Sequence, residues 1–318
     1  MIDICFAPME GMTDAVFRRV HHACFPGVKA YYIPFISPTR HLSLTNREKR
    51  NVLPEYNAGV PCVPQVLTKD AEHFLWAARA LADMGYTEID LNAGCPSGTV
   101  TAKGKGAGLL KDPDALDRLL DAVCAKSPLP VSVKTRIGWE DAAEWETLRP
   151  IYARYPLVRL IVHPRTCRER YIPGTIHEEI SYDGLERTLT LNGDIFTKAE
   201  ADAALARTDC DLMIGRGMVT NPALAREILG GEKLRREELE TYLTRMREEM
   251  LGFYYPDVAF MKMRDVMKHI ECCFKDTGKI PKRIRKARDM AELNEITKEL
   301  LETCELKETP RFEPEGKY

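Results

Sequence analysis

The residues best suited to chemistry lie in the segment Ile89-Asp-Leu-Asn-Ala-Gly-Cys-Pro-Ser-Gly98, which reads as a strand running into a turn that carries Cys95. A thiol on such a turn can act as nucleophile, general acid or general base. A turn cysteine without a role fits that string equally well. The Lys103-Gly-Lys-Gly-Ala-Gly108 stretch that follows reads as a flexible glycine-rich loop. It is not a nucleotide-binding P-loop, because no Ser or Thr follows Gly-Lys. Leu191-Asn-Gly-Asp-Ile-Phe196 and Leu212-Met-Ile-Gly-Arg-Gly-Met218 each place glycine at a strand end. Backbone N–H groups at such turns suit a phosphate, although each string alone also describes an ordinary tight turn. Lys134 sits in the apolar run Val131-Ser-Val-Lys-Thr-Arg136 and so needs a partner, which an anionic cofactor ring or an internal carboxylate could supply. His163 ends another apolar run. No His, Cys, Asp or Glu cluster has metal-ligand spacing, so no metal is expected.

These residues must be positioned by short apolar runs, at Ile4–Met9, Lys29–Phe35, Cys62–Leu67, Glu88–Asn92, Val131–Arg136, Arg159–His163, Leu189–Asn192 and Leu212–Gly215. Most are apolar on both faces, as in parallel strands covered by helices. Helical spacing lies between many of them. The spacing predicts helices over Ala71–Met84, Pro113–Lys126 and Lys198–Ala206, with Asp70, Asp112 and Thr197 as caps. Eight strands with intervening helices match an α/β fold of the (β/α)8 TIM-barrel type, typically about 250 residues. A doubly wound sheet is the alternative. The barrel is preferred because polar or glycine residues end nearly every strand: Glu10, Gln65, Asn92, Lys134 with Arg136, His163, Asn192 to Asp194, and Gly215 with Arg216. In a barrel those ends converge on one mouth. From about Glu232 the strand signal stops, and Leu239–Leu251, Val258–Phe274 and Met290–Cys304 read as helices. The expected organisation is a barrel over 1–235, a small all-helical C-terminal domain over 236–308, and a flexible, solvated tail over 309–318.

The 318 residues carry 46 Lys and Arg against 48 Asp and Glu, a net charge of −2. That balance excludes nucleic-acid binding through bulk charge but not through a local patch. Such a patch is on offer between Val258 and Arg288, where basic residues including Lys268, Lys282 and Arg283 outnumber acidic ones. A solvated helical face accounts for the run as well. No apolar run reaches the roughly 18 residues of a membrane span, and the opening residues lack the basic head and long apolar stretch of a secretory signal, so none is expected. The ten cysteines form no CxxC pair, which points to a reducing, cytoplasmic setting.

Together, Ala7-Pro-Met-Glu-Gly-Met-Thr-Asp14, Pro64-Gln-Val66, Asp90-Leu-Asn-Ala-Gly-Cys-Pro96, Gly106-Ala-Gly-Leu-Leu-Lys-Asp-Pro113, Val133-Lys-Thr-Arg136, Val162-His163, Asn192-Gly-Asp194 and Ile214-Gly-Arg-Gly217 give the chain a family likeness. In this order they resemble the tRNA-dihydrouridine synthases. The resemblance covers the whole barrel and extends more loosely into the tail. It implies an FMN-binding barrel, NADPH as reductant, tRNA as partner, and reduction of the C5–C6 double bond of a uridine, expected in the D-loop. By position, Pro8, Met9 and Glu10 would lie along the flavin and Gln65 would bond its polar edge. Lys134 would face the ring edge that becomes anionic on reduction. His163, Asn192, Gly193, Asp194, Gly215 and Arg216 would hold the ribityl chain and phosphate. Cys95 matches the catalytic cysteine and would protonate C5. Asn92, Arg136 and Arg165 would meet the substrate, with Lys268, Lys282 and Arg283 holding the surrounding RNA. A monomer is expected. Two other readings stay open: an FMN oxidoreductase acting on a free pyrimidine, and an RNA-binding protein without catalysis. The chain departs from the family pattern at His163-Pro-Arg-Thr-Cys-Arg-Glu-Arg-Tyr-Ile-Pro-Gly174, where Arg168 and Arg170 alter the loop's charge.

Overall fold

The computed structural model describes residues 2–185 and 189–312. Its barrel strands are β1 (Ile4–Phe6), β2 (Ala30–Ile36), β3 (Cys62–Val66), β4 (Ile89–Ala93), β5 (Val131–Gly138), β6 (Arg159–Thr166), β7 (Leu189–Asn192) and β8 (Asp211–Ile214). They close in sequence order, all parallel, with β8 paired back to β1. Helices α1 (Ala15–Cys24), α2 (Asn46–Val52), α3 (Ala71–Asp83), α4 (Gly98–Thr101), α5 (Pro113–Lys126), α6 (Trp145–Ala153), α7 (Lys198–Arg207), α8 (Arg216–Thr220) and α9 (Leu224–Ile228) connect the strands or follow β8. The doubly wound alternative is thereby excluded.

The helix starts follow from short polar side chains. Asp70 accepts from His73 N at 3.0 Å and Asp112 from Ala115 N at 2.9 Å, while Thr197 and Glu200 form a reciprocal capping box. Strand side chains alternate between the helical layer and the barrel lumen. Cys5, Tyr32, Val63, Ile161 and Met213 fill the lumen as a small apolar plug. Below it, Arg159 pairs with Asp211 at 2.7 Å, and Tyr32 Oη donates to Glu88 at 3.0 Å. Two residues further along each strand, the same inward face delivers Gln65, Asn92, Lys134, His163 and Asn192 to the mouth.

The chain then forms α10 (Arg236–Phe253), α11 (Pro256–Ile270), β9 (Phe274–Lys275), α12 (Ile280–Lys286), α13 (Met290–Thr303) and β10 (Glu305–Leu306). β9 and β10 pair as a two-stranded antiparallel ladder, too short for a periodic signal. Asp14 ties this region to the barrel. It caps α1 at Phe17 N and also meets Tyr254 Oη at 2.8 Å and Lys262 Nζ at 2.6 Å.

Two expectations change. The stretch after Cys95 is not a loose loop but α4 followed by a 3-10 turn over Gly106–Lys111, with Gly106 and Gly108 buried. Gly106 has φ +58 and lies so close to the Cys95 carbonyl that a Cβ would meet it at 2.8 Å. Glycine serves close packing here. The expected solvated tail is corrected over residues 310–312. Pro310 is buried, Arg311 pairs with Glu200, and Phe312 stacks on His269 with ring centroids 3.9 Å apart. Residues 313–318 of that expected tail lie outside the described residues.

Candidate active site

A cavity of about 440 Å³ opens at the barrel mouth. Its lining includes Pro8, Met9, Glu10, Gln65, Asn92, Cys95, Lys134, Arg136, His163, Asn192, Gly193, Asp194, Gly215 and Arg216. The structure therefore brings together residues that the sequence scatters over seven strand ends.

One relay crosses the floor. Asp90, fully buried, accepts from Gln65 Nε2 at 2.7 Å and from Ser132 Oγ at 3.0 Å. Gln65 Oε1 accepts from Asn92 Nδ2 at 2.7 Å. Asn92 Oδ1 in turn accepts the N–H groups of Gly94 and Cys95 at 3.1 and 2.9 Å. Asp90 thus fixes which way both amides face, and through them the turn that aims Cys95. Sequence reasoning passed over Asp90 even though it shares the inward face of β4 with Asn92. Burial pushes its carboxyl up to about 7, and the hydrogen bonds from Gln65 and Ser132 only partly oppose this. The folded chain therefore keeps this proton to about pH 7, whereas the unfolded chain releases it near 3.9. As pH rises through that window the unfolded chain is stabilised by releasing a proton that the folded chain retains, so folding loses stability. Asp90→Asn removes the linkage, so the variant gains stability relative to the parent progressively between about pH 4 and 7, reaching about 4 kcal/mol at the upper end. Thermal melts of both proteins across that range check this; a stability difference that does not change with pH contradicts it.

The cationic groups have donors to spare. Lys134, half-buried, makes no hydrogen bond or ion pair among the described residues. Burial first, and Arg136 second, bring its ammonium down to about 8, so it remains charged near neutrality. Arg136 donates to Gly94 O at 3.0 Å and to Thr166 O at 2.8 Å, which leaves buried Nη2 unpartnered. Tyr171, another residue the sequence reading left without a role, lies 5.1 Å from both the Arg136 and Arg216 guanidinium carbons. Burial raises the Cys95 thiol above its ordinary value, against the opposing N–H of Ser97.

At the β7–β8 side, Asp194 bridges Arg165 Nη2 at 2.5 Å and Arg216 Nη2 at 2.6 Å. Burial drives His163 well below its ordinary value, and cations around it act in the same direction. Its neutral ring can then accept from Arg165 Nη1 at 3.2 Å. Asn192 donates to Met213 O at 2.7 Å and so joins the ends of β7 and β8. Gly193 has φ +132, and a Cβ there would collide with the His163 ring at 2.8 Å.

Not every expected residue reaches the cavity. Arg165 is fully buried and outside the lining, its guanidinium consumed by Asp194, Thr175, Ile172 O and His163. It braces the wall instead of meeting substrate. Lys268 on α11 and Lys282 and Arg283 on α12, expected to hold the surrounding RNA and not to line the cavity, lie outside the lining. Lys268 pairs with Asp265 and Arg283 with Glu299, both at 2.6 Å. Exposed Lys279, Lys282 and Lys286 make no ion pair among the described residues. Phe35, Phe196 and Phe312 also line the cavity. Phe312 carries no local signal, because only the fold brings it there. Among the described residues no group of three His, Cys, Asp or Glu could hold a metal, and no helix is long and apolar enough to cross a membrane.

Comparison with known proteins shows the family. The chain is 32% identical over 280 residues to tRNA-dihydrouridine synthase B of Pseudomonas syringae pv. tomato, covering 84% of this chain and 81% of that protein. It is 32% identical over 239 residues to tRNA-dihydrouridine(16) synthase of Cupriavidus necator, covering 72% and 74%. Among solved structures, morphinone reductase superposes with a TM-score of 0.50 at 14% identity, over 74% of this chain and 87% of that one, which speaks to the barrel fold alone. The family model for dihydrouridine synthase matches residues 5–310. The chain belongs to the dihydrouridine synthase family and is, with it, a flavin-dependent oxidoreductase.

Proposed function

We propose that this enzyme reduces the C5–C6 double bond of a uridine in the D-loop of tRNA, with FMN as its flavin and NADPH as reductant. Residues 1–235 would hold the cofactor and 236–308 the RNA, as a cytoplasmic monomer. The observation that carries this reading is the shared cavity: a half-buried thiol with a raised pKa, and a charged lysine with no hydrogen bond or ion pair among the described residues, face the same space. FMN fits that space on chemical grounds. Lys134 and the spare donor of Arg136 offer positive charge to a ring edge, while Arg216 and the crowded Gly193 turn offer a polar cradle.

When bound and reduced by NADPH, such a flavin supplies the hydride that adds to C6 of the pyrimidine. The chain's residues do the rest. Gln65, held by Asp90, can present its second N–H to the ring edge. Arg136 and Tyr171 can flank the entering base. Cys95 stays protonated near neutrality and donates its proton to C5, where negative charge develops. The uridine must leave its stack first, which costs a few kcal/mol and is cheapest in a strained loop. Lys279, Lys282 and Lys286 can meet RNA phosphates on the flank.

The test is reduction by NADPH of the purified, flavin-loaded protein in the presence of a tRNA transcript, with dihydrouridine read by mass spectrometry. Dihydrouridine in the tRNA is expected, with little or no product from free uridine. Product from free uridine or uracil with none in tRNA overturns the assignment in favour of a free-pyrimidine reductase.

A further inference from the structure

A second hollow, of about 560 Å³, adjoins the first cavity without sharing a lining residue. The two meet at two points in the chain. Cys95 lines the first and Pro96 the second; Tyr171 lines the first and Arg170 the second. The hollow's walls are the turn after Cys95, Trp139 beyond β5, and the loop beyond β6 that departs from the family pattern.

Its lining contains the cations Lys111, Arg168 and Arg170 and no carboxylate. Arg168 is largely neutralised by Glu140 at 2.7 Å. Lys111 Nζ sits 3.9 Å from the Trp139 ring centroid and makes no ion pair among the described residues. A cation held over an aromatic face is attracted by the ring quadrupole, which fixes its direction. Exposed Arg170 has φ +49, a left-handed backbone that a long side chain rarely adopts, and makes no ion pair either. Two cations without an ion pair among the described residues therefore line one hollow beside the thiol turn; Glu140, already paired with Arg168, is the carboxylate whose charge Lys111 also feels.

We propose that this hollow is a phosphodiester subsite, taking the RNA backbone next to the uridine that enters the first cavity. It rests on the reading of the enzyme as one that acts on tRNA. Lys111 and Arg170 contact the phosphate, and Trp139 is a positioning residue for Lys111. An RNA strand threaded this way would fix which neighbour of the target lies against the β6 loop. That would make the loop a determinant of the modified position.

The test compares the flavin-loaded parent with Lys111→Glu/Arg170→Glu and with Lys111→Gln/Arg170→Gln. Both positions are exposed, and flavin content and melting temperature confirm an intact fold. Affinity for a tRNA transcript is measured across a salt series, with KM and kcat for dihydrouridine formation. The expected result is about a tenfold or greater loss of affinity in the charge-reversed protein, and a smaller loss in the neutral one. The salt dependence should flatten by about one unit of slope. KM should rise while kcat at saturating tRNA holds within about twofold. Unchanged affinity and slope, with dihydrouridine still made in tRNA, overturns the subsite and leaves the enzymatic reading standing. A parent that makes no dihydrouridine in any tRNA removes both.

Discussion

Cys95→Ala should retain flavin and bind tRNA, yet form dihydrouridine about 10²–10⁴-fold more slowly, the usual span for loss of a positioned acid. Alanine keeps the turn, because Cys95 is fixed through its backbone: its N–H by Asn92 at 2.9 Å and its carbonyl by Ala107 N at 3.0 Å. The loss therefore falls on the proton and not on the fold. Cys95→Ser should also be slow, since a hydroxyl is a far weaker acid than a thiol. With the parent, kcat should fall as pH rises through a value above the ordinary thiol range near 8.5, because the raised thiol must be protonated to act. Single-turnover mixing of the reduced protein with tRNA measures the step. A Cys95→Ala protein that matches the parent would remove the thiol from proton donation.

The largest loss of stability should come from Asp194→Asn. Arg165 has no exposed side-chain surface, and Asp194, at 2.5 Å, is its one carboxylate partner among the described residues. Breaking such a pair leaves a buried charge uncompensated, at a cost of about 3 kcal/mol. Arg216 loses its 2.6 Å partner in the same step and is freed to swing across the cavity. Asparagine is the fitting probe, because Asp194 has φ +47, a left-handed backbone that asparagine tolerates better than most residues. Denaturant unfolding should show the loss, and flavin retention should weaken with it. Equal midpoints for parent and variant would mean that the neighbouring hydrogen bonds to Thr175 and Ile172 suffice for Arg165.

The barrel was legible because its strands are apolar on both faces and end in polar residues. Each of the eight expected runs overlaps an observed strand, and three expected caps act as caps. The site was legible for a related reason: residues two apart on a strand share a face, so strand-end residues converge once closure is assumed. What stayed hidden depends on contacts across the chain. Asp90 looked like one more strand residue until Gln65 closed the relay. Arg165 looked free until Asp194, 29 residues on, enclosed it. The glycines after Cys95 suggested mobility when read as composition, but the structure uses them for contact with the Cys95 carbonyl.

The return of Pro310–Phe312 to the mouth has a practical side. Arg311 crosses 111 positions of sequence to reach Glu200, and the next ring faces the space where substrate arrives. Anything appended downstream, such as a purification handle or a dye, would be leashed to the doorway. A handle placed ahead of β1 would hang from the opposite end of the barrel, where Asp3 meets Asp211.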